Sequence, residues 1–341
     1  METVKHANQG HGVLRPKVRV WLLAALLLLT ILNIALFYAR QRENHVAEKP
    51  PQYHFYMILQ NSVDPFWQDV RRGAQDAAKT LNVAIEFRAP QFNNSEEEQK
   101  YIDIATLSRV DGIITPAVNN PDFIKLINQA TAQGIPVITI ENDAKDSQRQ
   151  AFIGSNSFML GAEAGKLLND AVQGKARVAV IMSSELEKDA LTQNMIMNGF
   201  SSTLKDAPGI QVIKVYTPKM EILSTEEITQ AVLRQGDINA VFCLDAINTV
   251  GVAQSIVDFN KVGKITVIGY GITPEIKNYI EKGVIHGTVV GNPYTIGYYG
   301  VKSMLEVKQN RTTSSVTDTG VQIVDKANMT SYEMQNSGGK P

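Results

Sequence analysis

One cysteine, Cys243, stands among 341 residues. No internal disulfide can form, so stability rests on packed cores. An excess of charge of either sign is also missing: 33 Lys and Arg face 34 Asp and Glu, for a formal net charge of −1. With no basic stripe, nucleic acid is not an expected partner. Histidine is scarce, and His6, His11, His45, His54 and His286 are never spaced as ligands on one helical turn, which argues against a zinc site or a histidine-based triad. No GxSxG elbow occurs. GAEAGKL (161–167) is one residue too short between its glycines for a phosphate loop, and Leu167 stands where a magnesium-binding hydroxyl is needed. It reads instead as a helix with small packing residues. GYG (269–271) lacks the third glycine of a dinucleotide turn. Neither a catalytic constellation nor a metal or cofactor site is expected, and the chain does not read as an enzyme. The lone cysteine falls within a buried strand pattern and reads as an inert core residue.

Against these absences stands one long apolar run. VWLLAALLLLTILNIALFYA (20–39) carries no charge. At 1.5 Å per residue, about 20 residues match a bilayer core of roughly 30 Å. Lys5, Arg15, Lys17 and Arg19 precede it with Glu2 as the only acid, whereas Arg40, Arg42 and Lys49 follow it diluted by Glu43 and Glu48. That asymmetry puts residues 1–19 in the cytoplasm and the C-terminal part outside the cell. The run is longer than the apolar region of a secretory signal and no small-x-small cleavage site follows closely, so it reads as an uncleaved single-pass anchor. Residues 40–52, with Pro50 and Pro51, read as a polar linker.

From residue 53 the pattern changes to strand–helix alternation. YHFYMILQ (53–60), VAIEF (83–87), GIITP (112–116), IPVITI (135–140) and the short FIG (152–154) alternate with helices expected over 65–81, 96–108 and 121–133. Phe66, Val70, Ala74, Ala77 and Leu81 fall on one face of the first of these, and Pro65 suits its first turn. A second series follows: RVAVIM (177–182), IQVIKVY (210–216), AVFCL (240–244), KITVIGY (264–270), HGTVV (286–290) and GVQIV (320–324). Helices are expected between and around them at 159–172, 189–205, 225–235, 246–259, 273–282 and 293–306. Two such series predict an α/β protein of two doubly wound lobes with parallel sheets and right-handed crossovers. Ligands in such sheets bind beyond the carboxyl ends of strands, here the loops after Gln60, Thr115, Ile140, Met182, Leu244, Tyr270 and Val290.

Several stretches taken in order carry a resemblance: DPFWQDVRRGAQDAA (64–78), VDGIITPA (110–117), GIPVITIENDAKDSQRQAFIGSNSFMLGAEAG (134–165), NGF (198–200), ITVIGYGITPEI (265–276), GTVVGNPYTIGYYGV (287–301) and DTGVQIVDKAN (318–328). Together they resemble the sugar-type periplasmic binding proteins, the ribose-binding-protein-like branch of type 1 solute-binding proteins. The resemblance implies two Rossmann-like lobes joined by three crossover strands, with ligand in the cleft. It implies one lobe at 53–155 plus 292–315, a second at 156–291 plus 316–327, and a flexible tail at 328–341.

The same resemblance points to ligand-binding residues. Phe66 and Trp67 fall where the family stacks aromatic rings on a sugar, with Asp64 beside them. Glu141 aligns with the ligand-binding acid of the crossing segment, and Asn142 and Asp143 adjoin it. Asp245 aligns with a polar position after AVFCL, and Met220 with an apolar wall. Sugars present apolar C–H faces and a rim of hydroxyls, so aromatic surfaces and two-way hydrogen-bonding groups suit them. Several positions depart from the pattern. Ile196 replaces a cleft arginine, with Asn194 as partial compensation. Gly271 replaces Asp or Asn, Gly291 replaces glutamine, and Thr115 replaces asparagine. Asp245 also reads as a helix cap, and Asp146 as a loop residue. The expectation is a membrane-anchored binding protein that captures a small carbohydrate-like solute. Its partner would be the permease of an ABC importer or, in the alternative reading, a membrane histidine kinase.

Overall fold

The structure, a computed structural model, describes residues 16–44, 50–182, 190–218 and 221–332. The chain separates into two units at Pro50 and Pro51. In the first, helix α1 covers Pro16–Asn44. It therefore runs into the segment expected as linker, so residues 40–44 are helical. Two polar side chains within the apolar run, those of Thr30 and Asn33, turn back onto their own helix. The Thr30 hydroxyl donates to the Leu27 carbonyl at 2.7 Å, and Asn33 Nδ2 to the Leu29 carbonyl at 2.9 Å. Side chains over 24–37 are all exposed. Among the described residues no helix is long and apolar enough to cross a membrane; in α1 the continuous described side chains are only those of 24–37.

The second unit holds two six-stranded sheets. In the first lobe β1 (His54–Ile58), β2 (Ala84–Arg88), β3 (Gly112–Thr115), β4 (Val137–Ile140), β5 (Ala151–Gly154) and β11 (Val316–Asp318) lie in the order β11-β5-β4-β3-β1-β2, every pairing parallel. Helices α2 (Pro65–Leu81), α3 (Ser95–Leu107), α4 (Pro121–Ala132) and α10 (Pro293–Asn310) cover it. The second lobe repeats the plan. Its strands β6 (Lys175–Ile181), β7 (Gly209–Tyr216), β8 (Ala240–Cys243), β9 (Thr266–Tyr270), β10 (Gly287–Val290) and β12 (Gln322–Asp325) are ordered β12-β10-β9-β8-β6-β7. Only β12 runs antiparallel. Helices α5 (Ser157–Val172), α6 (Ala190–Thr203), α7 (Glu221–Gln235), α8 (Ala246–Asp258) and α9 (Pro274–Glu281) flank it.

The reason for the sheets is visible in β1. Phe55, Met57 and Leu59 enter one core cluster while Tyr56 and Ile58 enter the opposite one. In β6, Val178 and Val180 face one side and Ala179 and Ile181 the other. A strand apolar on both faces must be covered on both faces, which selects parallel strands between helical layers. Helix pairs approach closely through glycine. A Cβ on Gly297 of α10 would lie 1.9 Å from the Val70 carbonyl of α2, and one on Gly161 of α5 would lie 1.9 Å from the Ile196 carbonyl of α6. The stretch GAEAGKL thus serves helix packing.

Two expectations need correction. Val316–Asp318 pairs with β5 in the first lobe's sheet, because Phe152 and its neighbours leave an open parallel edge there; the chain enters the second lobe only afterwards. Residues 329–332 are helical and not a free tail. Met329 is buried in a second-lobe core, with Tyr332 packed against it.

Candidate functional site

Where the strand order reverses, between β1 and β3 and between β6 and β8, the loops at the carboxyl ends diverge and leave a crevice. The two lobes face each other across these ends, with three crossings at 155–156, 291–292 and 319–321 as their connections. The crossings touch. The Ser155 hydroxyl donates to the Gly320 carbonyl at 3.0 Å, and a Cβ on Gly291 would lie 2.7 Å from Ser155 Oγ. A cavity of about 180 Å³ lies between the lobes.

Helix starts furnish much of its wall, since α2 and α8 begin where β1 and β8 end. Asp64 caps α2, Oδ1 accepting from the Phe66 amide at 2.9 Å, and Pro65 occupies the first turn. The Asn61 side chain accepts from the Asp64 amide at 2.7 Å and fixes the approach. Asp245 caps α8, accepting from the Asn248 amide at 2.6 Å. Each cap stabilises its helix by about 1 kcal/mol and holds a carboxylate at the cavity wall.

Glu141 is the centre of the arrangement. It follows β4 with φ of 60°, the left-handed region that non-glycine residues seldom adopt. From there its carboxyl crosses to the second lobe, where Tyr270 at the end of β9 donates its hydroxyl to Oε1 at 3.0 Å. Oε2 is buried without a hydrogen-bond partner. The carboxyl is enclosed although other atoms of the residue keep partial exposure. Burial pushes its pKa up to about 7; the Tyr270 hydrogen bond opposes this and the nearby Asp64 adds to it. Burial also raises Asp64, against the pull of the Phe66 amide, and raises Tyr270 well above the ordinary phenol range, with Glu141 adding to the effect. A backbone held in a costly conformation to aim a buried, unsatisfied carboxyl into a cavity is the mark of a group waiting for a ligand.

Of the residues expected from sequence, Asp64, Phe66, Trp67, Glu141, Asn142 and Asp245 line this cavity together. Trp67 is only 2% exposed and meets Phe66 edge to face at 5.2 Å, so it forms the floor under the ring of Phe66. Four expected residues stand elsewhere or are not described. Asp143 is bound by Arg149 and by the Thr139 hydroxyl and lines a smaller neighbouring cavity. Its carboxylate is taken by the guanidinium. Thr115 is fully buried, its hydroxyl turned onto the Pro116 carbonyl at 2.8 Å. Asn194 is exposed on α6, because α6 presents Ile196 and Thr192 to the cavity instead. Met220 lies outside the described residues. The departures Ile196, Gly271 and Gly291 do line the cavity. The Asp146 carboxylate accepts from Asn119 at 2.8 Å, as a loop residue does.

Sequence reasoning missed Asn61, Asn93, Ser155, Asn248, Tyr270 and Tyr332 as wall residues. Position relative to strand ends was the available signal for Asn61 and Tyr270. Tyr332 carried none, since only folding brings it back. Burial raises its hydroxyl to about 12, and Asp69 of the first lobe contributes.

Paired doubly wound lobes, triple crossings and a cavity at their seam define the two-lobed architecture of a binding protein. A family profile described as "Periplasmic binding protein domain" matches residues 55–312, and the chain belongs to that family. Among curated relatives, the D-allose-binding periplasmic protein of Escherichia coli is 23% identical over 266 residues, covering 75% of this chain and 85% of that protein. Among solved structures, GanP, a glucose-galactose binding protein from Geobacillus stearothermophilus, is 31% identical with a TM-score of 0.75, covering 81% of this chain and 98% of that one. XylFII in its complex with LytSN is 27% identical with a TM-score of 0.72, covering 82% of this chain and 100% of that one.

Proposed function

We propose that this chain is a membrane-anchored, extracytoplasmic binding protein that captures a small sugar-like ligand between its lobes as the substrate-binding component of an ABC importer. The observation that carries the reading is the inter-lobe cavity, where the Glu141 carboxyl reaches from one lobe to the other and keeps Oε2 unpartnered. A donor group on the ligand satisfies that oxygen, and the face of Phe66 offers an apolar platform for C–H groups. Closure of the lobes removes water and strengthens each such bond. The apolar run of α1, with Thr30 and Asn33 satisfied within the helix, supports a single-pass anchor that holds the lobes outside the membrane. Tethering keeps the protein beside its permease in a cell without an outer membrane.

A thermal-shift screen of residues 51–341 against pentoses, hexoses, polyols and amines tests the reading, because a cleft ligand raises stability by mass action. Small-angle scattering then reads compaction for any hit. No stabilisation by any solute, or binding without compaction, refutes it. A second reading, signalling to a membrane histidine kinase, is favoured by one observation: the likeness to XylFII, a protein solved in complex with LytSN. Here ligand shifts the balance between open and closed lobes, and the partner senses that balance. Affinity capture from membranes separates the two, since a permease supports import and a kinase supports sensing.

A further inference from the structure

Helix α1 carries two polar residues on one exposed face. Leu26, Thr30, Asn33 and Phe37 follow one another by four, three and four residues, so they share a stripe of the helix, and all four are exposed. Four–three spacing is the seam along which two helices wind about each other. The apolar run covers 20–39, so Thr30 lies beside its midpoint and Asn33 about 5 Å from it along the axis. Both depths fall well inside a hydrocarbon layer of roughly 30 Å. The two side chains differ in what they leave unsatisfied. Thr30 spends its one O–H on the Leu27 carbonyl at 2.7 Å. A carboxamide has two N–H groups and an acceptor oxygen, and Asn33 makes a single bond, from Nδ2 to the Leu29 carbonyl at 2.9 Å. Its second N–H and its Oδ1 have no partner among the described residues. In lipid no water replaces those partners, and each unmade bond costs free energy. A second carboxamide at the same depth supplies the missing oxygen and the missing N–H together.

We propose that α1 pairs in the membrane with the α1 of a second copy of this chain, in parallel, along the stripe of Leu26, Thr30, Asn33 and Phe37, and that reciprocal bonds between the two Asn33 carboxamides set the register. The inference rests on the anchor reading of α1 and gives that anchor a role in assembly. Copies of one single-pass anchor insert in the same direction, so only a parallel pair can form. A two-fold axis along such a pair sets Asn33 opposite Asn33, where each donates to the other and accepts from it. One polar residue in an otherwise apolar seam fixes which residues meet, because any slip strands both carboxamides in hydrocarbon. Two binding units then share one place in the membrane, which raises their effective concentration toward a common partner.

The full chain is expressed in bacterial membranes, and the membranes are washed with alkaline carbonate. Release of the chain by that wash overturns the anchor reading and the pairing with it; retention leaves the pairing to be tested by itself. Cysteine is then introduced at Leu26 on the seam or at Leu28 on the opposite face, both exposed. The native Cys243 is buried and does not compete. On mild oxidation Leu26→Cys is expected to give a disulfide-linked homodimer, and Leu28→Cys at least about tenfold less of it. Equal linkage at both positions, or none at either, overturns the proposed face. Linkage of Leu26→Cys to a different membrane protein in place of a second copy assigns the face to a partner helix and overturns self-pairing. Sedimentation equilibrium of the full chain in a density-matched detergent measures the contribution of the carboxamide. Asn33→Leu is expected to raise the dissociation constant of the pair by about tenfold or more. Asn33→Gln, which keeps a carboxamide, is expected to retain most of the pairing. A pair that withstands Asn33→Leu, or that Asn33→Gln loosens as much as Asn33→Leu does, refutes the role of Asn33.

Discussion

Replacing Glu141 with glutamine removes a group whose ionisation opposes folding near neutral pH. In the unfolded chain this carboxyl titrates near 4.5, and in the folded protein near 7. Between those values the folded state holds a proton that the unfolded state has released. Stability therefore falls as pH rises through that window and levels off above it. At about 1.4 kcal/mol per unit, a shift of this size corresponds to about 3 kcal/mol, fully present as a penalty above pH 7 and absent below about pH 4.5. Glutamine keeps the shape and an oxygen for the Tyr270 hydroxyl but cannot ionise. The variant without ligand is thus expected to match wild type at pH 4.5 to 5 and to exceed it by about 2–3 kcal/mol at pH 8. The assay is urea denaturation of both proteins, followed by far-ultraviolet circular dichroism across that pH range. Two parallel stability–pH curves would refute the reasoning, because they would show that Glu141 is solvated, or already compensated, in the folded protein.

Other consequences follow from the same geometry. Asp64→Asn retains an α2 cap while removing a charge near Glu141, so the Glu141 pKa should fall with little loss of stability; carboxyl resonances followed by NMR titration read it, and an unmoved midpoint denies the coupling. Trp67→Ala empties a buried site and should cost about 3–5 kcal/mol by chemical denaturation, whereas Phe66→Ala, on the partly exposed cavity face, should cost less stability and more ligand affinity. Gly297→Ala drives a methyl group into the Val70 carbonyl of α2 and should destabilise the first lobe by about 1–3 kcal/mol or more; an unchanged denaturation midpoint would show that α2 and α10 can separate freely. Asp245→Ala removes the bond to the Asn248 amide and should cost about 1 kcal/mol in the same assay, with Asp245→Asn restoring most of it.

What the chain reveals on its own is whatever local patterning controls. Strands apolar on both faces, such as 55–59, announced covered parallel sheets, and the periodicity of 65–81 matched α2 from Pro65 to Leu81. The cap reading ahead of α8 marked Asp245 as a residue at a strand end, and the family resemblance pointed to Asp64, so part of the cavity wall was legible as well. Local pattern cannot say which way a polar side chain turns when several partners compete. Arg149 took Asp143, the Pro116 carbonyl took the Thr115 hydroxyl, and α6 turned Asn194 to solvent. Nor could it place Val316–Asp318 beside β5, or bring Tyr332 back to the seam, since those contacts depend on edges that exist only once both lobes have formed. The Tyr270–Glu141 bond joins residues 129 positions apart. Burial and distance arise from the folded arrangement, and they alone turned an ordinary glutamate into a carboxyl poised near neutrality.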